Sequence, residues 1–430
     1  MRRSFPLSLI MIMVAGLLPV CLFGARPAIA AEPIVIGVPT SLGFIEGKEA
    51  YKAVEMAVSE INAKGGLSVG GEKRKLELAP LDIRDAAPGV PVQEALLGIE
   101  KLILEKKPAA IVVGPFRSEA LIPGMDLISK YKVPTIGTIA MSPASEKKVR
   151  EEPDKYKYVF RVCMNAPYLV KYLAGSMDAV KKQFGFNKVY IMHQDVAWAR
   201  ATADGVRSNY FEKADWQVLG QEAYPTGTTD FSSALLKARS EGAQVIMPIF
   251  DMPQGGILVK QWKSMAVPAL MAGFISPLTG SAGWKTFDGK IGGAIEANYE
   301  MGSAIASDKI PASVEFYNKY KKTYGEEVQA GHGPAPSYEA VYILAEAVER
   351  AGSLDPDAVT AQLKKTDRMG IMGRVRFDEG NQAVFGFDPK ETAVGAVFQW
   401  TEDGKRRIVF PESLAEGKME LPKGLKPAKE

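Results

Sequence analysis

The chain has 430 residues, 47% of them hydrophobic and 24% charged, which is enough for two domains with buried cores. Of its 53 basic residues, Arg2, Arg3 and Arg26 lie in the first 30; without them 50 bases face 50 acids. A balanced chain with no basic cluster gives no support for nucleic-acid binding, and two histidines argue against a histidine metal site.

Residues 1–30 read as a signal peptide. Arg2 and Arg3 form the charged start, residues 7–23 the apolar stretch, and Ala28-Ile29-Ala30 a small-residue cleavage site. The mature chain then begins at Ala31. Lipidation of Cys21 is the alternative, disfavoured by Val20 where a small residue is required. Removal of Cys21 leaves Cys163 alone, so no intrachain disulfide can form.

The mature chain opens on PIVIGV, a strand, then the loop PTSLGFIEG and a helix carrying Ala50, Val54, Ala57, Val58 and Ile61 on one face. The loop is not a phosphate loop, because only three residues separate Gly43 from Gly47-Lys48 and Glu49 stands where Ser or Thr is needed. KLELAPLDIRD predicts a strand and residues 91–106 a helix. Residues 109–143 are the organising unit. Residues 111–113 and 135–136 are strands, each emptying into a small polar loop, GPFRS and GTIAMSP. Between them residues 119–130 place Leu121, Met125 and Ile128 at helical spacing. Parallel strands need such a crossover, and ligands sit beyond their carboxyl ends. Ser118 is placed either to cap this helix or to turn its hydroxyl toward a ligand.

SEKKVREEPDKYK reads as a solvated loop before a strand at 158–163, in which Cys163 is buried. A second round of βα units follows, with helices at 169–184, 199–213, 231–241 and 256–265. Its strands are KVYIMH, WQVLGQEAY, AQVIMPIF and PALMAGF. From IGGAIEANYE the pattern returns to helices, at 314–324, 338–351 and 356–366. Residues 374–400 read as antiparallel strands, and 411–430 as a loose tail. No membrane span lies inside the chain.

Seven stretches in order carry a resemblance: IVIGVPTSLGFIEGKEAYKAVEMAVSEINAKGG, VVGPFRSEALIPGMDLISKYKVPTIGTIAMSP, YVFRV, VYIMHQDVAWARA, TGTTDFSSALLKARSEGAQVIM, SYEAVYILAEAVERAGSLD and GRVRFDEGN. Over residues 32–400 the sequence resembles the periplasmic solute-binding proteins of branched-chain amino-acid ABC transporters. The resemblance implies an α/β fold of type I: two Rossmann-like lobes with parallel sheets, joined by three crossover strands around a ligand cleft. The first lobe would comprise residues 31–164 and 299–375, the second 165–298 and 376–410. It further implies a periplasmic monomer that binds a small carboxylate-bearing solute, an amino acid or an aromatic or other organic acid or amide. Its partners would be the permease subunits of an ABC importer, with no cofactor, no metal and no enzymatic activity.

Carried over residue by residue, the family's carboxylate grip falls on Ser118 and the backbone of Ala140, Met141 and Ser142. The aromatic wall falls on Tyr168, Trp198 and Phe250; ordinary core packing is the alternative for Trp198 and Phe250, with the cleft favoured for Trp198. The chain departs from the pattern at three places. Met141 replaces a usual hydroxyl, Glu46 replaces a usual tyrosine, and the positions expected to hold an ammonium, Ala166 and Ile275, are not acidic. Glu46 and Asp195 are the acids that could substitute, and Arg117 could pair with a ligand carboxylate or form a surface ion pair. A ligand-sensing receptor of the same fold is an alternative function. A hydrolase using His193, Asp195 and a hydroxyl is another, opposed by the absence of any G-x-S-x-G or H-E-x-x-H.

Overall fold

The computed structural model describes Met1, residues 32–298 and residues 300–428, so the expected leader and Cys21 lie outside the described residues. The first lobe is built on β1 (Ile34–Thr40), an almost wholly buried apolar run of the kind an interior parallel strand requires. It feeds α1 (Ile45–Ala63), whose stripe of Ala50, Val54, Ala57 and Ile61 is buried. A hairpin of β2 (Leu67–Val69) and β3 (Glu72–Arg74) precedes β4 (Leu76–Asp82) and α2 (Val92–Lys106). Next come β5 (Ala110–Val113), α3 (Ser118–Tyr131) and β6 (Thr135–Gly137). The lobe's first pass ends with α4 (Ala144–Glu151), α5 (Pro153–Tyr156) and β7 (Val159–Arg161). The strands pair in parallel in the order β4-β1-β5-β6-β7.

The chain then crosses to a second lobe through α6 (Ala166–Phe184). There β8 (Lys188–Gln194), α7 (Ala197–Val206), β9 (Gln217–Tyr224), α8 (Ser232–Ser240) and β10 (Val245–Phe250) follow in turn. They are succeeded by α9 (Gln254–Ser264), β11 (Leu270–Ile275), α10 (Gly283–Thr286) and β12 (Ile295–Asn298). α11 (Pro311–Tyr324) and α12 (Pro334–Ala351) return to the first lobe, with α12 lying along α1, and α13 (Pro356–Leu363) follows. β13 (Asp367–Gly370), β14 (Gly373–Arg376), β15 (Phe385–Gly386) and β16 (Ala393–Val394) form a small separate sheet. Finally β17 (Ala396–Trp400) and β18 (Arg406–Phe410) join the second sheet, ordered β18-β17-β12-β11-β10-β8-β9. That sheet is mixed, because β17 pairs antiparallel with both β12 and β18.

Four expectations change. The charged segment after Pro143 is helical, because Glu146 is drawn inward to an ion pair of 2.6 Å with buried Arg161. IGGAIEANYE, from which helices are expected to follow, first contributes β12 to the second sheet. Within the terminal strands, β15 and β16 pair in parallel. Residues 411–428 are not loose. Leu414 and Met419 are buried, Gln399 brackets Glu420, and the Ala428 N–H donates to the Phe184 carbonyl at 2.9 Å.

Strand order positions the site. In the first sheet the chain leaves β1 toward β4 on one side and returns to β5 on the other; in the second, β9 and β10 flank β8 in the same way. A crevice opens beyond the carboxyl ends at each such reversal. The loops after β1, β5, β8 and β10 therefore meet between the lobes. β1 and β10 each carry a proline inside a central strand, Pro39 and Pro248, where a donor is lost. The neighbour of Pro248 is Gly273 of β11, at which an added Cβ would lie 2.1 Å from the Pro248 carbonyl oxygen. Gly273→Ala is expected to cost about 1–3 kcal/mol, the range for overpacking a tight interior. Chemical denaturation of the purified variant measures it, and an unchanged midpoint would show that β10 and β11 separate without strain.

Candidate functional site

The first lobe's contribution starts with backbone geometry. Val113 ends β5 with φ of +70° and Gly114 follows at +70°, a left-handed pair that is strained for a β-branched residue. The reversal delivers Phe116 and Arg117 into the crevice, where both are buried. Asp85 ties this loop to the one after β1: it accepts from the Arg117 N–H and from the Ser41 hydroxyl, each at 2.7 Å. Glu46 projects from the first turn of α1 and is buried. Phe44 and Phe116 pack at 6.0 Å, and His332 lies edge-on to Phe116 and to Phe274.

From the second lobe comes Asp251, the residue after β10. Its Oδ2 accepts from Arg117 Nη1 at 2.7 Å and from Trp198 Nε1 at 3.0 Å, so the ion pair spans the two lobes. Its Oδ1, buried, has no hydrogen-bond partner among the described residues. Trp198 stands perpendicular to Phe274 with centroids 5.3 Å apart, which fixes the indole against Asp251. Ser276, beyond β11, makes a second bridge. Its hydroxyl donates to Glu46 Oε1 at 3.2 Å and lies 3.3 Å from His332 Nδ1.

A cavity of about 400 Å³ opens between these walls, lined by Phe44 and Glu46 of the first lobe, Asp251, Ser276 and Phe287 of the second, and Gln329 beside them. Its volume falls in the range of small-molecule sites, roughly 300–1,000 Å³. Burial, and then the charge of Asp251, push the Glu46 carboxyl up to about 8, against the pull of the Ser276 hydroxyl and Arg117. Burial brings His332 down to about 4, Arg117 adding to that effect and Asp251 opposing it, so the imidazole is neutral at neutral pH.

The residues singled out from the sequence are distributed unevenly over this site. Glu46 lines the cavity, and Arg117 is one layer behind it, in a buried interlobe ion pair and not a surface one. Ser118 neither caps α3 nor faces the cavity; its hydroxyl accepts from the Ser142 N–H at 3.0 Å. Ala140, Met141 and Ser142 are brought beside it, but the carbonyls of Ala140 and Ser142 are both taken by Arg161 Nη1 at 2.9 Å. Trp198 supports Asp251 without lining the cavity. Phe250 is core, packed edge-on to Phe231 at 5.8 Å, and Tyr168 packs against Phe385 at the start of α6. Asp195 is half-exposed and paired with Arg200, so it is no substitute acid in the cleft. His193 Nδ1 lies 3.0 Å from the Gln194 carbonyl and forms no pair with Asp195 in the hydrogen-bond network. Sequence reasoning missed Asp251 and Ser276. Each follows a buried strand by one residue, the position already used to mark the loop after β5.

Two α/β lobes, one with a parallel and one with a mixed sheet, whose strand-end loops meet around a cavity, define a cleft-type binding protein. A family model described as periplasmic binding protein matches residues 35–405, and the chain belongs to that family. Among curated relatives, a "Leu/Ile/Val-binding protein homolog 8" of Brucella abortus is 25% identical over 394 residues, covering 88% of this chain and 89% of the relative. A "homolog 7" of Brucella suis is 26% identical, covering 87% and 90%. Solved structures share the fold. A putative branched-chain amino acid ABC transporter protein from Silicibacter pomeroyi has a TM-score of 0.76 at 19% identity, over 91% of this chain and 99% of that one. A solute-binding protein from R. palustris in complex with benzoate has a TM-score of 0.70 at 13% identity, over 91% and 99%.

The Glu46 environment makes stability depend on pH. The unfolded chain ionises this carboxyl near 4.5 and the native state near 8. Between those values the native state keeps a proton that the unfolded state has lost, so this group's contribution to stability falls as pH rises. Glu46→Gln cannot ionise. It is expected to gain stability over the parent between about pH 5 and about pH 9, by on the order of 1–3 kcal/mol at the upper end. Urea denaturation at the two pH values checks this, and a difference independent of pH would show that Glu46 titrates as an ordinary carboxyl.

Proposed function

We propose that the protein captures a small organic solute in the interlobe cavity and hands it to the permease subunits of an ABC importer, after export to the periplasm by cleavage behind Ala30. One observation carries this reading: the cavity takes its walls from both lobes, so a bound solute touches both. A ligand of that kind favours the arrangement in which the lobes are together over one in which they are apart. The domain division expected from the sequence, with crossings near residues 164, 298 and 375, supplies the hinge. Family membership and the names of the relatives, all binding proteins, support a transport role.

A carboxylate-bearing solute is the second reading. Arg117 stands at the start of α3 beside the Ser118 hydroxyl, and parting of the lobes would release it from Asp251. An enzymatic reading has one observation to answer, the proximity of Ser276 and His332. The acid here, Glu46, contacts the serine, whereas in a nucleophilic triad the acid orients the histidine. The arrangement fits ligand contact better than acyl transfer.

A thermal-shift panel of amino acids, amines, aromatic acids, short carboxylates and amides is the first test; a ligand at one hundred times its Kd stabilises by about 2.7 kcal/mol. Small-angle scattering with the best hit should then give a smaller radius of gyration than the free protein. An unchanged curve at saturation would argue for a rigid cleft and against hinge closure.

A further inference from the structure

We propose that the cavity is selective for solutes carrying a protonated amino or amidino group, seated between Asp251 Oδ1 of the second lobe and Glu46 of the first, with no anion anchor required. The inference rests on the reading of the cavity as the solute site and names its ligand class.

Asp251 supplies the first argument. It lines the cavity and is 5% exposed, its Oδ2 is engaged by Arg117 and Trp198, and its Oδ1 is buried without a hydrogen-bond partner among the described residues. A buried carboxylate oxygen left unbonded is costly, and a donor brought by a ligand removes that cost. Glu46 supplies the second. It is a buried acid on the opposite wall, close enough to Asp251 for the two charges to oppose each other. Beside Asp251 it keeps its proton, and a cation seated between the two bonds to the Asp251 carboxylate and to the Glu46 carboxyl oxygen.

The charges around the cavity point the same way. The cation of this network, Arg117, lies behind the wall and is already matched by Asp251, with Asp85 and Glu119 also near it. His332 is neutral. A carboxylate entering the cavity would face the charge of Asp251. The groups that could have held it, the Ser118 hydroxyl and the Ser142 N–H, are bonded to each other away from the cavity. Beyond the acids the lining includes Phe44, Met252, Pro277 and Phe287, which suit an aliphatic or aromatic body, beside the polar Ser276, Thr286 and Gln329.

The test uses charge-reversed pairs of equal shape on the mature protein: benzamidine against benzoate, and 3-methylbutylamine against 3-methylbutanoate, by titration calorimetry. The cations are expected to bind and their acid counterparts to bind at least about tenfold more weakly, a difference of about 1.4 kcal/mol. Asp251→Asn should weaken the cations by about tenfold or more. Because that change also touches the Arg117 pair, Glu46→Gln is measured alongside it, with circular dichroism confirming that each variant is folded. Preferential binding of the acids, or cation affinity unchanged in both folded variants, overturns the inference and leaves the solute-binding reading standing. Binding of neither series, nor of any compound in the wider panel, overturns both.

Discussion

The meeting of the lobes depends on one buried ion pair, Arg117 with Asp251, whose side chains are 8% and 4% exposed. Removing two such charges from water costs several kcal/mol per ion, and attraction offsets this only where the remaining hydrogen bonds are made. On the arginine side the loop is held as well, through its own N–H on Asp85. On the aspartate side one oxygen is served by Arg117 and Trp198, and the other is buried without a hydrogen-bond partner among the described residues. Everything that fixes the loops after β5 and β10 therefore bears on how the lobes fit. The left-handed turn at Val113 and the Pro248–Gly273 contact belong to that apparatus.

A second layer holds the remaining cavity groups through buried carboxyls. Burial pushes the carboxyls of Glu296 and Glu300 well above the usual range. Glu296 accepts from the Ile275 N–H, next to Ser276; Glu300 accepts from the Gly333 N–H at 2.7 Å, next to His332. The Ser276–His332 contact is thus framed by buried acids that hold the backbone one residue away on each side. Arg161 does the corresponding work under the Ala140–Ser142 turn: it takes two carbonyls, pairs with Glu146, and reaches Gln382 of the small-sheet region at 2.8 Å. That frame turns the loop's polar groups inward on one another.

How far the sequence can be read follows from the range of the forces involved. The β5–α3–β6 unit was legible because alternation, helical spacing and the loop residues all act within about 35 residues. Glu46 was found as a departure from a pattern. Asp251 was not, because its importance comes from Arg117, 134 positions away in the chain. Trp198 and Phe250 show the same limit. Both are large rings near strand ends, yet one turns toward the lobe junction and the other into the core, a choice made by tertiary packing. The segment after Pro143 misled because its charge density suggested solvent, whereas one of its acids has a buried arginine to meet.

The packed C-terminal segment has a practical meaning. Glu32 is held to the first lobe by Arg74, and Ala428 is held to the second by Phe184. Between them, residues 411–428 bond to Gln183, Gln399, Glu402 and Arg407 of the second lobe, and Ser413 donates to the Phe387 carbonyl beside the small sheet. The chain's two described ends ride on different bodies. A donor dye at one end and an acceptor at the other would convert rotation of the lobes into an optical signal, with no label near the cavity.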